Sequence, residues 1–331
     1  MSDTPAFLDP GRPPVPDLVI PRGALPFYLP RRPVRGRLVR LGPLADALLS
    51  RHDNHPVVTS LVGQALALAA GLCSALKFRG TFSLQAKGDG PVSMLLADCS
   101  DAGELRGHAI TNPEKLKALL AHNPAPSAQT LLGNGYLAFT VDPGNEQDRH
   151  QGIVAIEGAT LADMALHYFN TSEQLRCQVH LACHHTPSGW RAGALILEKV
   201  AGTGGIDSDP ANPELADPDM TEAEQHESWR TAATLAATLT DRELLDDDLS
   251  AETLLYRLFH AEGVATDLAR ALSFGCRCSR ARLAGILEGF PAEDLDHMTI
   301  ETDIVMTCEF CNYDFHFPRQ DVRGQASATP K

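Results

Sequence analysis

Two close cysteine pairs, Cys276-Arg277-Cys278 and Cys308-Glu309-Phe310-Cys311, separated by 29 residues, constrain this chain more than any other feature. Four thiolates in two such pairs can surround Zn²⁺ tetrahedrally, each pair spanning one edge of the coordination shell. All-sulfur ligation leaves no open position for water, so a site of this kind is structural or redox-active rather than hydrolytic. Between the pairs, Ser279 is placed to cap a helix running to Leu287, and Ala292–Met298 reads as a second helix. A module of about 50 residues buries little core, so metal would supply most of its folding energy. Spacing alone leaves two readings open, a zinc staple and a redox switch. One detail favours the switch: Cys-x-Cys is tighter than the usual Cys-x-x-Cys, and a disulfide closed within it would be strained and easily reduced.

The chain has 331 residues, enough for two domains, and its eight cysteines are too sparse for a disulfide framework. Cys73, Cys99 and Cys177 read as small packing residues. His180, Cys183, His184 and His185 cluster at a strand end beside a turn, without a second matching pair, which argues against a ligand set. The first 26 residues are Pro-rich and lack an apolar core for a secretory signal, so a cytoplasmic location is expected. No uncharged apolar run is expected to reach about 18 residues, so no segment is read as spanning a bilayer. A net charge of −14 and 6% aromatic residues argue against nucleic-acid binding, which needs a basic face and stacking platforms. Gly202-Thr203-Gly204-Gly205 lacks the lysine and the strand–helix context of a phosphate loop.

The expected fold class is α+β: an N-terminal core domain built on a sheet, a helical linker region and a small C-terminal zinc-binding module. Residues 1–25 read as a disordered Pro-rich extension. Residues 26–200 form the core domain, with a strand at Arg37–Arg40, a helix at Leu44–Leu49 and a long apolar helix from Pro56. Thr81–Gln85 and Val92–Leu96 alternate around Gly88-Asp89-Gly90 as a hairpin. Further strands are expected at Glu104–Ile110, Tyr136–Val141, Gln151–Glu157, Leu175–Leu181 and Trp190–Leu197. Helices are expected from Pro113 and over Thr160–Phe169, the latter capped by Thr160. Residues 201–265 form an acidic linker with short amphipathic helices; 266–320 form the zinc module and 321–331 a disordered tail. Between Asp207 and Arg270, sixteen acidic residues face four arginines, and the leucines from Leu235 to Leu258 recur at helical spacing. Helices so short need a partner, and the core domain is the expected one. Arg31, Arg32, Arg35, Arg37 and Arg40 read either as a solvated strand face or as a dock for that acidic segment.

Phe274-Gly275-Cys276-Arg277-Cys278-Ser279-Arg280 and Cys308-Glu309-Phe310-Cys311-Asn312 resemble the C-terminal signature of the heat-shock protein 33 family of redox-regulated chaperones. Phe315 stands where that family usually has tyrosine. Upstream, Arg35-Gly36-Arg37-Leu38-Val39-Arg40-Leu41, Leu76-Lys77-Phe78-Arg79-Gly80, Gly88-Asp89-Gly90-Pro91 and Leu105-Arg106-Gly107 are similar to its N-terminal domain. So are Gln151-Gly152-Ile153-Val154 and Tyr168-Phe169-Asn170-Thr171-Ser172-Glu173-Gln174-Leu175, and the match runs in order from about residue 25 to 320.

The resemblance implies an ATP-independent holdase of the oxidative stress response, without catalytic residues, that binds unfolding client proteins. It implies Zn²⁺ bound by Cys276, Cys278, Cys308 and Cys311 in the inactive, reduced form. Oxidation would join Cys276 to Cys278 and Cys308 to Cys311, release zinc, unfold the module and linker and expose apolar surface. The oxidised form is expected to be a homodimer, with no nucleic-acid or membrane partner. The alternatives are a zinc-ribbon regulator binding nucleic acid, a thiol–disulfide oxidoreductase, and an assembly protein in which zinc is only a staple.

Overall fold

The computed structural model describes residues 18–76, 78–144, 149–200 and 220–323. Most of the expected Pro-rich extension, the Gly- and Pro-rich stretch 201–219 and the end of the tail lie outside the described residues. Chain contacts divide the described residues into two units, Leu18–Gly275 and the segment that starts at Cys276.

The larger unit runs β1 (Val19–Tyr28), β2 (Val34–Arg40), α1 (Pro43–Leu49), α2 (Pro56–Ala75), β3 (Thr81–Gly88), β4 (Val92–Ser100) and β5 (Glu104–Thr111). It continues with α3 (Pro113–His122), α4 (Ala128–Leu132), β6 (Gly135–Asp142), β7 (His150–Ala155), α5 (Leu161–Tyr168), β8 (Cys177–Thr186) and β9 (Gly189–Lys199). Beyond the undescribed stretch come α6 (Glu222–Ala236), α7 (Asp241–Leu244), α8 (Ala251–Phe259), β10 (Ala265–Thr266) and β11 (Arg270–Phe274).

Among the described residues, these strands make one sheet in the order β7-β6-β3-β4-β5-β11-β1-β2-β9-β8, with β10 pairing beside β1. Every neighbouring pair is antiparallel except β5 and β11, which run parallel. Two corrections to the sequence reading follow. Val19–Leu25 is strand rather than extension, although Pro21 and Pro26 argue locally against one. Pro26 turns its carbonyl away from β2 to accept from the Asp267 amide at 3.0 Å, so its missing N–H costs the β2 ladder nothing. Residues 266–275, assigned from sequence to the zinc module, complete the sheet instead: β11 pairs with β1 on one side and β5 on the other.

The helix α2 carries no charged residue and packs on one face of the sheet, with Gly71 close against Val39 and Ile196. By length and composition it is apolar enough to cross a membrane, which corrects the expectation that no such run exists; here 78% of its most apolar window is buried within the fold. Pro56 opens it at the first turn, and Thr160 and Asp163 cap α5 reciprocally.

The alternate residues of the same strands face the other way. Leu25, Phe27, Leu38, Leu195 and Leu197 pack against Ala232, Ala236, Leu244, Leu254, Leu255, Leu258 and Phe259 of α6, α7 and α8. The acidic helices thus form the second covering layer of the sheet. Gly36 lies beneath the Phe27 ring, where a Cβ would come within 2.3 Å of it.

The smaller unit contains α9 (Arg280–Leu287), α10 (Ala292–Met298), β12 (Thr299–Ile300), β13 (Asp303–Thr307) and β14 (Asp314–Pro318). Its three strands form their own antiparallel sheet, in the order β12-β13-β14. Its core is small: Leu287, Leu295, Ile304, Phe315, Phe317 and Val322, so Val322 belongs to the fold and not to a tail.

Candidate functional site

Four thiols converge at one end of the smaller unit. Cys276 and Cys278 come from the extended segment before α9, and Cys308 and Cys311 from the turn between β13 and β14. Ser279 accepts the Arg282 amide at 3.2 Å, which starts α9 directly after Cys278. At the other pair, the Asn312 amide donates to the Cys308 carbonyl at 2.7 Å and the Cys308 amide to Tyr313 at 2.9 Å. Asn312 closes this turn in the left-handed region, at φ 53°, a conformation asparagine tolerates better than most residues.

The sulfurs of Cys276 and Cys278 stand 3.4 Å apart, those of Cys276 and Cys308 3.6 Å, and those of Cys278 and Cys311 3.5 Å. All four lie within 4.8 Å of one another. A tetrahedron with metal–sulfur bonds of about 2.3 Å has edges of about 3.8 Å. The four residues therefore fit one tetrahedral cation with an all-sulfur shell, and among the described residues they are the one group that gathers ligating side chains in this way.

Hydrogen bonding among the thiols divides them electrostatically. The bond with Cys278 pulls Cys276 down to about 7, and that with Cys276 carries Cys308 well below the ordinary thiol range. Cys278 and Cys311 are pushed up, chiefly by their bonds with Cys276. Two of the four thiols are thus held toward thiolate, the form that binds metal and reacts with oxidants, and two toward the protonated form. Cys278 and Cys308 also pack against the six-residue core, which ties the thiol geometry to the fold of the unit.

A sequence model of the family described as Hsp33 protein matches residues 23–318. The chain belongs to the Hsp33 family. It is 39% identical over 292 residues to a protein of Caulobacter vibrioides named 33 kDa chaperonin, covering 86% of this chain and 91% of that one. A protein of the same name from Pseudomonas fluorescens is 36% identical over 298 residues, covering 89% and 90%. The crystal structure of the Hsp33 homologue of Thermotoga maritima superposes with a TM-score of 0.70, covering 91% of this chain and 96% of that one; at 18% identity it supports the fold.

Within the larger unit, the cover over the sheet is held by polar clasps as well as by its leucines. Arg32 reaches Ser228 and Glu262, each at 3.1 Å. Arg40 donates to the carbonyl of Glu243 at 2.6 Å and to that of Leu249. Arg191, nearly buried, pairs with Asp247 at 2.8 Å. Arg32 and Arg40 thus dock the acidic segment, whereas Arg35 pairs with Glu198 inside the sheet and Arg37 lines a cavity on the α2 side. His180 and His184, weighed from sequence as metal ligands, both grip the Asp241 carboxylate at the start of α7, at 2.9 and 2.7 Å. Sequence reasoning does not reach Arg191 and this histidine pair as contacts of the linker, because their partners lie more than fifty residues away.

Proposed function

We propose that this protein is a redox-regulated, ATP-independent holdase that binds unfolding proteins and keeps them from aggregating. The observation that carries the reading is the apolar face of β1, β2, β8 and β9, covered among the described residues by three short helices of the acidic segment. Around it stand the family membership, the name chaperonin borne by the relatives and a four-thiol cluster that follows β11 directly in the chain.

In the reduced state Cys276, Cys278, Cys308 and Cys311 hold Zn²⁺. Bound zinc supplies four metal–thiolate bonds, which in small modules are worth about 10–16 kcal/mol of folding energy. Peroxide oxidises each pair, Cys276 with Cys278 and Cys308 with Cys311, to a disulfide. Each pair of thiolates gives up two electrons, solvent supplies two protons, and each peroxide becomes two waters. A disulfide sulfur is no longer a thiolate ligand, so the donor set is lost, and six buried side chains cannot hold the unit alone. Its unfolding frees the chain on the C-terminal side of β11, and α6, α7 and α8 then open, because helices of 15, 4 and 9 residues depend on docking. The exposed Leu25, Phe27, Leu38, Leu195 and Leu197 bind apolar segments of clients. The protein acts in the cytoplasm, and the active form is a homodimer.

The deciding experiment follows zinc release and suppression of client aggregation together during a peroxide titration of the reduced protein. The two should rise in parallel and reverse with dithiothreitol. Equal holdase activity in dithiothreitol and in peroxide would reduce the cluster to a staple.

A further inference from the structure

A second pair of thiols meets inside the sheet unit. Cys73 comes from the last turns of α2 and Cys99 from the end of β4, and both are buried. The Cys73 sulfur lies 3.2 Å from the Ser100 carbonyl oxygen, and the Cys99 sulfur 3.5 Å from the same oxygen. Both sulfurs thus converge on one carbonyl oxygen. They share a cavity of about 220 Å³ whose wall includes Ser74, Gly103, Arg270 and Leu272, space enough for peroxide to reach sulfur.

We propose that Cys73 and Cys99 form a second redox-active dithiol, oxidised by hydrogen peroxide to an intramolecular disulfide within the sheet unit. The site is separate from the four-cysteine cluster and does not depend on the holdase reading. The roles divide by environment. The interaction with Cys99 holds the Cys73 thiol below its ordinary range, with the positive Arg270 acting in the same direction and burial and Asp101 against it. Cys99 is pushed well above that range by its interaction with Cys73 and by burial. Cys73 is therefore the attacking sulfur and Cys99 the resolving one.

In the first step the Cys73 sulfur attacks one peroxide oxygen. The O–O bond breaks, the departing hydroxide takes up the thiol proton as water, and Cys73 becomes a sulfenic acid. In the second step the Cys99 sulfur attacks the Cys73 sulfur, the S–O bond breaks, and hydroxide leaves with the Cys99 proton as a second water. Two thiols thus lose two electrons and two protons to one peroxide. Both sulfurs already converge on the Ser100 oxygen, so side-chain rotations suffice to bring them toward the bonding distance of about 2.05 Å. Both would leave the Ser100 carbonyl, beside the turn whose Gly103 carbonyl holds the Ser273 amide of β11 at 3.0 Å.

The test treats the reduced full-length protein with peroxide, alkylates it in denaturant and digests it with trypsin. Residues 52–77 carry Cys73 alone and residues 88–106 carry Cys99 alone, so a disulfide joins two single-cysteine peptides. The expected product is the linked pair, at the summed mass less two hydrogens, which disappears with dithiothreitol. Cys177 and Cys183, both pushed up to about 12 chiefly by burial, should be recovered alkylated and serve as internal controls. In Cys99→Ala, dimedone should label Cys73; in Cys73→Ala, Cys99 should stay unlabelled. Recovery of both peptides alkylated, at a peroxide dose that fully oxidises Cys308 and Cys311, would overturn the proposal. So would linkage of either peptide to a third cysteine in place of the other. The decisive measurement is made on the unaltered chain, so it stands even where a variant fails to fold.

Discussion

Replacing Phe259 by alanine should open the linker helices while every thiol stays reduced. Phe259 is fully buried at the end of α8, and its ring stacks on Phe27 with centroids 5.6 Å apart and planes 27° from parallel. Phe27 rests directly on Gly36 of β2, and truncation of Phe259 leaves its ring without the stacked partner. Truncating a buried phenylalanine costs about 3–5 kcal/mol, including about 0.5–1.5 for the lost ring pair. An undocked linker already exposes residue 259 to water, so the loss falls on the docked state alone. At about 1.4 kcal/mol per tenfold, the open population rises roughly a hundred- to several-thousand-fold. Hydrogen exchange in dithiothreitol reads this directly: protection across residues 220–260 should fall by that factor while α2 changes little. The variant should also suppress aggregation of a heat-unfolded client without oxidant. A fall of less than tenfold, or an equal fall in α2, would refute the reasoning, the first because docking is not what holds the helices, the second because the whole unit is destabilised.

Cys308→Ser should purify with sharply reduced zinc by elemental analysis; full zinc with an unchanged melting curve would remove the four-thiolate site. Arg40→Met leaves the Glu243 and Leu249 carbonyls without their donor. It should cost about 1–3 kcal/mol, seen as faster exchange in α7 and α8. Gly36→Ala places a methyl 2.3 Å from the Phe27 ring and 2.8 Å from the Ile196 carbonyl. It should lower the urea midpoint by an equivalent of about 1–3 kcal/mol. Hydrogen bonds from Thr221 and Thr240 hold Glu224 and Glu243 below the usual carboxylate range. Depressed folded-state values mean that these caps contribute above the unfolded value of about 4.3 and are lost as pH falls below it. Linker exchange should therefore accelerate in acid, and less so in a Thr221→Val, Thr240→Val variant.

The parts of this fold that announce themselves in the sequence are those whose cause is local. The Gly88-Asp89-Gly90 hairpin, the Thr160 cap, the helix begun by Ser279 and the two cysteine pairs each carry their geometry within a few residues. The alternation of β1 is hidden by Pro21 and Pro26, and its strand character comes from partners: β2 beside it and β11 some 250 residues away. Likewise β11 has five residues and no turn signal, and it reads as strand only because β1 and β5 leave a place for it. The charge-free length of α2 is plain in its residues, but burial rather than composition decides its role. His180 and His184 present ligand chemistry in sequence, but across the linker they meet one carboxylate instead of a third ligating side chain.

The position of β11 bears on how the protein is made. The last strand before the linker, β9, ends at Lys199, yet β5 and β1 have no common partner until Phe274 has been synthesised. At translation rates of about 5–20 residues per second, roughly 4–15 s separate those two moments. Throughout that interval the nascent chain carries a split sheet with two open inner edges, and the helices that cover its leucines are only emerging. For those seconds the chain is itself an unfinished protein: the apolar face proposed to receive clients is exposed before its own lid and its closing strand exist.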